Sequence, residues 1–184
     1  MSVLLIGLAV FLGIHVLPMV PGVRDRAVRS LGEGPYKGLF TLVSAAGLVL
    51  IVWGKAVADF VPVYDPPSWG RHATMLLVLL AFICLVSFHL KGRIRQILRH
   101  PFLTAIILWG VGHLLANGDL ASVLLFGGFV VYSIIDILSV NARKPAPVFP
   151  VVPRHDLIAV AAGVAIYGCI LYFHGALFGV PVLA

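Results

Sequence analysis

The stretch RHPFLTAIILWGVGHLLANGDLASVLLFGGFVVYSII, residues 99–135, decides the fold of this chain. It contains two runs without Asp, Glu, Lys or Arg, at 100–118 and 120–135, and the second begins directly after the turn-forming tripeptide Asn117-Gly118-Asp119. A helix needs about 17–25 mainly apolar residues to cross a bilayer, so each run has nearly the length of one membrane span. Because three residues allow only a tight turn, the stretch predicts an antiparallel pair of transmembrane helices.

The rest of the chain repeats this pattern. Of the 184 residues, 61% are hydrophobic and 11% are charged, whereas soluble domains average about 45–50% and about 25%. This composition excludes a soluble enzyme. Four further uncharged runs occupy residues 1–23, 38–54, 72–90 and 157–184. We therefore predict an all-α, polytopic transmembrane bundle with six spans, or five if the short run at 120–135 does not cross.

The positive charges are distributed unequally between the predicted loops. The chain has 13 Lys and Arg against 7 Asp and Glu, an excess that is also typical of nucleic-acid binding. Only Lys55 and Arg71 belong to one set of alternate loops. The others are Arg24, Arg26, Arg29, Lys37, Lys91, Arg93, Arg95, Arg99, Arg143, Lys144 and Arg154. By the positive-inside rule we expect a multi-pass bacterial inner-membrane protein with both termini periplasmic, whose partner is the lipid bilayer and not nucleic acid.

The segments between the runs suggest how the chain is organised. Residues 1–140 are predicted to form a five-helix membrane bundle, in which 22–35 is an amphipathic helix on the cytoplasmic interface. The proline-rich segment DFVPVYDPPSWG at 59–70 predicts an ordered, non-helical connection. A second proline-rich segment at 141–156 predicts a stiff cytoplasmic linker, after which 157–184 forms a C-terminal transmembrane helix.

Histidines are the residues within these runs that suggest chemistry. His15 and His113 lie deepest, while His72 and His100 lie at span ends. One interpretation is an interhelical hydrogen bond. The other is haem ligation, because helical bundles build cofactor sites from inward-facing side chains and haem iron accepts axial imidazoles. The chain has no CxxCH motif, so a haem would be the non-covalent b type, with arginines at the helix ends pairing with its propionates.

Longer motifs resemble the NnrU family of bacterial membrane proteins. The shared segments are FLGIH at His15, RSLGEGPYKGLFTLVSAAGLVLIVWG at 29–54, PSWGRH ending at His72, and RHPFLTAIILWGVGHLLANGDLASVLLFGGF at 99–129. The resemblance covers nearly all of the first five predicted spans. It implies an association with nitrite and nitric oxide reduction in denitrification.

The chain is also similar to the plant and cyanobacterial zeta-carotene isomerase, a b-haem membrane enzyme that shifts a cis double bond to trans. The shared pattern is a histidine late in the first span and an RHP segment with a second histidine thirteen residues later. The resemblance implies that His15 and His113 are the axial ligands of haem iron, and that the chain acts as a redox-dependent isomerase on an apolar substrate. The isomerase has a cysteine where this chain has Gly110.

Helix lengths leave other histidine pairs open. With a rise of 1.5 Å per residue, His15 lies ~21 Å inward from Met1, whereas His113 lies only ~6 Å from the turn after Ala116. His72 with His113, or His15 with His100, are therefore alternative pairs. A different hypothesis for the whole protein is a non-enzymatic membrane assembly or regulatory factor for nitrogen-oxide reductases, in which the histidines only pack helices. A transporter is disfavoured because the spans show no evident repeats.

Overall fold

Helices form most of the chain. The computed structural model describes residues 1–20 and 22–182, and within these ranges it contains eight α-helices and no β-strand. They are α1 (Ser2–Val16), α2 (Val23–Leu31), α3 (Glu33–Ala56), α4 (Gly70–Ser87), α5 (Arg93–Leu98), α6 (Pro101–Ala116), α7 (Leu120–Arg143) and α8 (Arg154–Phe178). A short 3-10 helix, Leu17–Met19, follows α1. The all-α prediction is confirmed.

The first compact unit consists of Met1–Pro66 and Asn117–Arg143, and its centre is the antiparallel pair of α1 and α3. Small residues let helix backbones approach closely in membranes. A Cβ added to Gly7 would lie 2.6 Å from the Ile51 nitrogen, and one added to Gly47 would lie 2.8 Å from the Phe11 nitrogen. These two contacts fix the register of the pair.

One end of the first unit is closed by residues 61–66, which we call the strap. The Val63 nitrogen donates to the Gly118 carbonyl at 2.8 Å, and the Leu120 nitrogen donates to the Val61 carbonyl at 2.8 Å. The strap is therefore hydrogen-bonded to the turn at 117–119 and to the first residue of α7. The predicted non-helical connection is confirmed, with α4 beginning at its last residue.

The second compact unit consists of Pro67–Ala116 and Lys144–Ala184, of which 183 and 184 lie outside the described residues. In it, α4 packs against both α6 and α8. The Thr74 hydroxyl lies 2.6 Å from the Gly112 carbonyl oxygen of α6, and a Cβ on Gly163 of α8 would lie 2.8 Å from Ile83 Cα. Small buried residues such as Ala81 and Ala105 allow this close packing.

The number of spans depends on α6. Five helical segments among the described residues are long and apolar enough to cross a membrane: Ser2–Met19, α3, α4, α7 and α8. The 16-residue α6 is shorter. It nevertheless runs back along α4, since Thr74 meets Gly112 near one end and the Phe88 and Phe102 rings lie 5.6 Å apart at the other. The five long apolar helices match the five-span alternative, and a sixth crossing by α6 stays a prediction.

Several predicted boundaries differ from the structure. The amphipathic helix predicted at 22–35 is shorter, because Gly32 adopts a φ of 85° that ends α2 and separates it from α3. Pro21, which lies in the uncharged run at 1–23, is outside the described residues. The short helix α5 was not predicted, since its sequence RIRQIL has six residues and only three apolar positions, too few to establish a helical period. The domain division at 140 and 157 stays a prediction, and the two compact units follow different bounds.

Candidate functional site

His15 lies in the last turn of α1, in the first compact unit, and aromatic rings surround it. Its Nδ1 lies 2.7 Å from the Phe11 carbonyl oxygen. Its ring centroid lies 4.4 Å from that of Phe11, 5.1 Å from that of Phe40 and 6.2 Å from that of Tyr132. These contacts from α1, α3 and α7 leave the imidazole half-buried.

His113 lies in the last turn of α6, in the second compact unit, and repeats one element of this geometry. Its Nδ1 lies 2.8 Å from the carbonyl oxygen of Trp109, again four residues earlier. The Trp109 ring packs on the imidazole with centroids 5.2 Å apart. The side chain is half-buried, and Gly112 beside it is buried against α4.

The shared hydrogen bond defines the tautomer of both histidines. A carbonyl oxygen only accepts, so Nδ1 must carry the proton in each ring. In a neutral imidazole this leaves the lone pair on Nε2, the nitrogen that metals bind when the other nitrogen donates to a carbonyl. Both side chains therefore fit an axial ligand of haem iron, although the same bond also satisfies a histidine that only packs between helices.

The two alternate histidines occupy different ends of the second unit. His72 is exposed in the first turn of α4, at the end where Thr74 meets Gly112. His100 directly precedes α6, and its carbonyl accepts from Thr104. Since His100 and His113 are thirteen residues apart along one helix, their backbones are separated by about 20 Å. They cannot bind the same iron, whereas His72 and His113 lie at the same end.

The predicted ligands are divided between the two units. His15 belongs to the first unit, and His72, His100 and His113 belong to the second. Pairing of His15 with His113 on one iron stays a prediction. The described residues contain no group of three or more His, Cys, Asp or Glu arranged for a metal ion, so the fit rests on the imidazoles alone.

An apolar groove lies between α1 and α7 of the first unit. Its volume is about 430 Å³, and its lining includes Leu12 and Val16 from α1 and Gly127 and Gly128 from α7. Tyr132 also lines the groove and contacts His15 by its ring. The groove therefore offers space for an apolar molecule, and the Tyr132 side chain connects the groove to His15.

A polar cluster at the strap end of the first unit was missed in the sequence. Lys55 Nζ lies 2.9 Å from Asp119 Oδ1 and 2.8 Å from Ser122 Oγ, and the Ser122 nitrogen donates to Asp119 at 3.0 Å. Burial raises the pKa of Asp119, but the hydrogen bonds from Ser122 and Lys55 outweigh it, so the net pKa is lowered. Asp119 three residues before Ser122 is an N-cap signal that the sequence does contain; the partner Lys55 is 64 residues away.

Comparison with known proteins gives one match. The family model described as NnrU protein matches residues 3–182, nearly the whole chain. No curated protein and no solved structure matches the chain significantly.

Proposed function

This chain belongs to the NnrU family, and we propose that it is a multi-pass membrane protein that binds haem b through His15 and His113. The observation that carries the proposal is the hydrogen bond from each Nδ1 to the carbonyl four residues earlier, 2.7 Å in His15 and 2.8 Å in His113. In both imidazoles it places the proton on Nδ1, which is the tautomer that carries the lone pair for a metal on Nε2. When bound, the haem iron would supply redox chemistry within the membrane.

The surroundings of His15 support a flat apolar group. Phe11, Phe40 and Tyr132 contribute aromatic surface, and the groove between α1 and α7 is lined by aliphatic side chains and glycines. These residues would exclude water from a macrocycle.

A visible spectrum of the purified full-length protein tests the proposal. Protein from haem-replete cells should show a Soret band, with sharp α and β bands on reduction that are typical of two histidine ligands. His15→Ala and His113→Ala should each remove the sharp bands, because both ligands are needed for six-coordinate iron. His89→Ala is the matched control, since His89 is exposed and lies outside the helices.

The alternate pairs give different patterns in the same experiment. If iron is bound by His72 and His113, His72→Ala removes the bands and His15→Ala does not. If it is bound by His15 and His100, His100→Ala removes them and His113→Ala does not. Colourless protein that is folded and monodisperse would overturn haem binding, and the histidines would then only pack helices.

For the cellular role we propose a link to nitrogen-oxide respiration, with an apolar substrate in the groove. Family membership and the groove support this role. A more specific proposal is that the reduced protein isomerises a double bond of an apolar polyene that is bound in the groove. The residue at the position of the isomerase cysteine is Gly110, which is buried in α6. Because glycine has no side chain, no thiol is present at this position. Activity that depends on haem reduction would therefore have to rest on the histidines alone.

A further inference from the structure

The second unit has a strongly cationic end, formed by the α4–α5 loop, α5, the start of α6 and the segment that leads into α8. We call it the basic end. Its cations are Lys91, Arg93, Arg95, Arg99, Lys144 and Arg154. Among the described residues none of the six makes an ion pair, since the ion pairs found all lie in the first unit.

Within the described part of the second unit the one carboxylate is that of Asp156, and backbone N–H groups already donate to it. Asp156 Oδ2 accepts from the Arg93 nitrogen at 2.9 Å, and its Oδ1 accepts from the Ile94 nitrogen at 3.0 Å. A Cβ on Gly92 would collide with this carboxylate. Asp156 therefore holds the loop before α5 in place, and the arginine side chains lack an acidic partner within the unit.

Arg99 has the least ordinary conformation of the six. Its φ of 57° and ψ of −44° make it the one non-glycine residue with positive φ among the described residues. The His100 nitrogen donates to the Leu98 carbonyl across it, which is a γ-turn of the rare, strained kind. A strained backbone conformation persists in proteins where the surroundings or a function require it.

The guanidinium of Arg99 is only partly satisfied. One terminal nitrogen donates to the Lys144 carbonyl at 2.7 Å. Its Nε is buried and has no hydrogen-bond partner. A buried donor on a charged group that has no acceptor carries a free-energy cost, because it has lost its hydrogen bonds to water. An anion that accepts from this nitrogen would remove the cost, and a tetrahedral phosphate or a carboxylate suits the planar fork of arginine.

The position of the basic end indicates which anion it meets. It lies where the apolar helices α4, α6 and α8 begin or end, which is the level of lipid headgroups if these helices cross the bilayer. Next to the cations, Ile97 is 80% exposed and Val148 is 97% exposed. The Arg95 guanidinium lies over the rings of Phe88 and Phe149, at 5.7 and 5.3 Å from their centroids. Exposed apolar and aromatic side chains mixed with cations are typical of a membrane interface.

We propose that the basic end binds the phosphate of an anionic phospholipid, with Arg99 donating a hydrogen bond from its Nε to a phosphate oxygen. This inference does not depend on haem. The strained turn at Arg99 places the guanidinium between α5 and the start of the α7–α8 connection, where Lys144 orients it. The other cations attract the anionic surface beside the exposed side chains of Ile97 and Val148.

The test measures lipid binding by the purified full-length protein in a neutral detergent. Phosphatidylglycerol, phosphatidylcholine and inorganic phosphate are added separately, and the shift in thermal unfolding midpoint is recorded against concentration. Wild type should be stabilised by phosphatidylglycerol beyond the effect of phosphatidylcholine. Arg99→Gln should weaken this specific binding on the order of tenfold, as expected for loss of a charged hydrogen bond. Arg29→Gln, which removes the same charge from α2 of the first unit, is the matched control and should bind as wild type does.

A second variant at the same position distinguishes loss of lipid binding from misfolding. Arg99→Gly accommodates the positive φ without strain, so it should fold at least as well as wild type in the absence of lipid and still lose the specific binding. Unchanged phosphatidylglycerol binding by both variants would overturn the proposal. Full stabilisation by inorganic phosphate would overturn the assignment to a lipid, since a soluble anion would then suffice. Loss of haem from Arg99→Gln with unchanged lipid binding would assign the residue to a propionate instead.

Discussion

Lys55 and Asp119 form an ion pair with a distance of 2.9 Å between Nζ and Oδ1, although they are 64 residues apart in the chain. The pair joins the end of α3 to the turn before α7, and Ser122 completes it by contacting both residues. Asp119 is only 6% exposed. The cluster therefore connects two helices of the first unit at the end closed by the strap.

Removal of the lysine should destabilise the protein. Lys55→Met leaves the buried Asp119 carboxylate without its cation, and we expect the free energy of unfolding to fall by about 1–2 kcal/mol, between the values for exposed and buried pairs. Lys37→Met is the control, because Lys37 pairs with Glu33 while both side chains are more than 60% exposed. Lys37→Met should lower the free energy of unfolding by less than about 0.5 kcal/mol. Denaturant titration in detergent measures both, and equal losses would show that burial of Asp119 has no role.

The same carboxylate predicts a pH dependence of stability. The pKa of Asp119 in the folded protein is lower than its ordinary value of 3.8. A lowered folded pKa means that the stabilisation is complete above the unfolded pKa and is lost as the pH falls through the folded pKa. When the pH is lowered below about 4, the temperature of the unfolding midpoint should therefore fall more in wild type than in Asp119→Asn. The two profiles measured from pH 7 to pH 3 should converge at low pH; parallel profiles would contradict this.

Two glycines of α1 should respond in opposite directions to the same substitution. In Gly7→Ala the new Cβ would lie 2.6 Å from the Ile51 nitrogen, so α1 and α3 must separate, with a cost of about 1–3 kcal/mol. In Gly13→Ala it would meet nothing within 4 Å, and the better helix propensity of alanine should stabilise α1 by up to about 1 kcal/mol. Thermal unfolding of the two variants beside wild type decides this. A loss of stability in Gly13→Ala would contradict the prediction that the added methyl group meets no neighbour.

Cysteine labelling from either side of the membrane tests the six crossings. Phe60, Ile97 and Val148 are 77%, 80% and 97% exposed, so each tolerates a cysteine that a membrane-impermeant maleimide can reach. If α6 crosses, Ile97→Cys and Val148→Cys are labelled from the same side and Phe60→Cys from the other. If it does not, Val148→Cys and Ile97→Cys are labelled from opposite sides. The unsubstituted protein gives the background from Cys84 and Cys169.

The site was predictable from the sequence only in part. A histidine within an uncharged run can be recognised from the sequence alone, and so His15 and His113 were identified as candidates. Their hydrogen bonds to Phe11 and Trp109 are also local, because a helix places residue i−4 below residue i. The aromatic contacts of His15 with Phe40 and Tyr132 come from other helices, and no spacing rule predicts them.

The sequence by itself determined the number of apolar helices, their order and the asymmetry of their flanking charges, because membrane span length and local charge are properties of contiguous residues. Only the tertiary structure decided that α6 runs back along α4, that Lys55 meets Asp119, and that Arg99 lies in a strained turn with a buried Nε. These features depend on which helix faces meet. In α1 and α6 apolar residues surround the whole helix, so the sequence carries no polar face to indicate the partner.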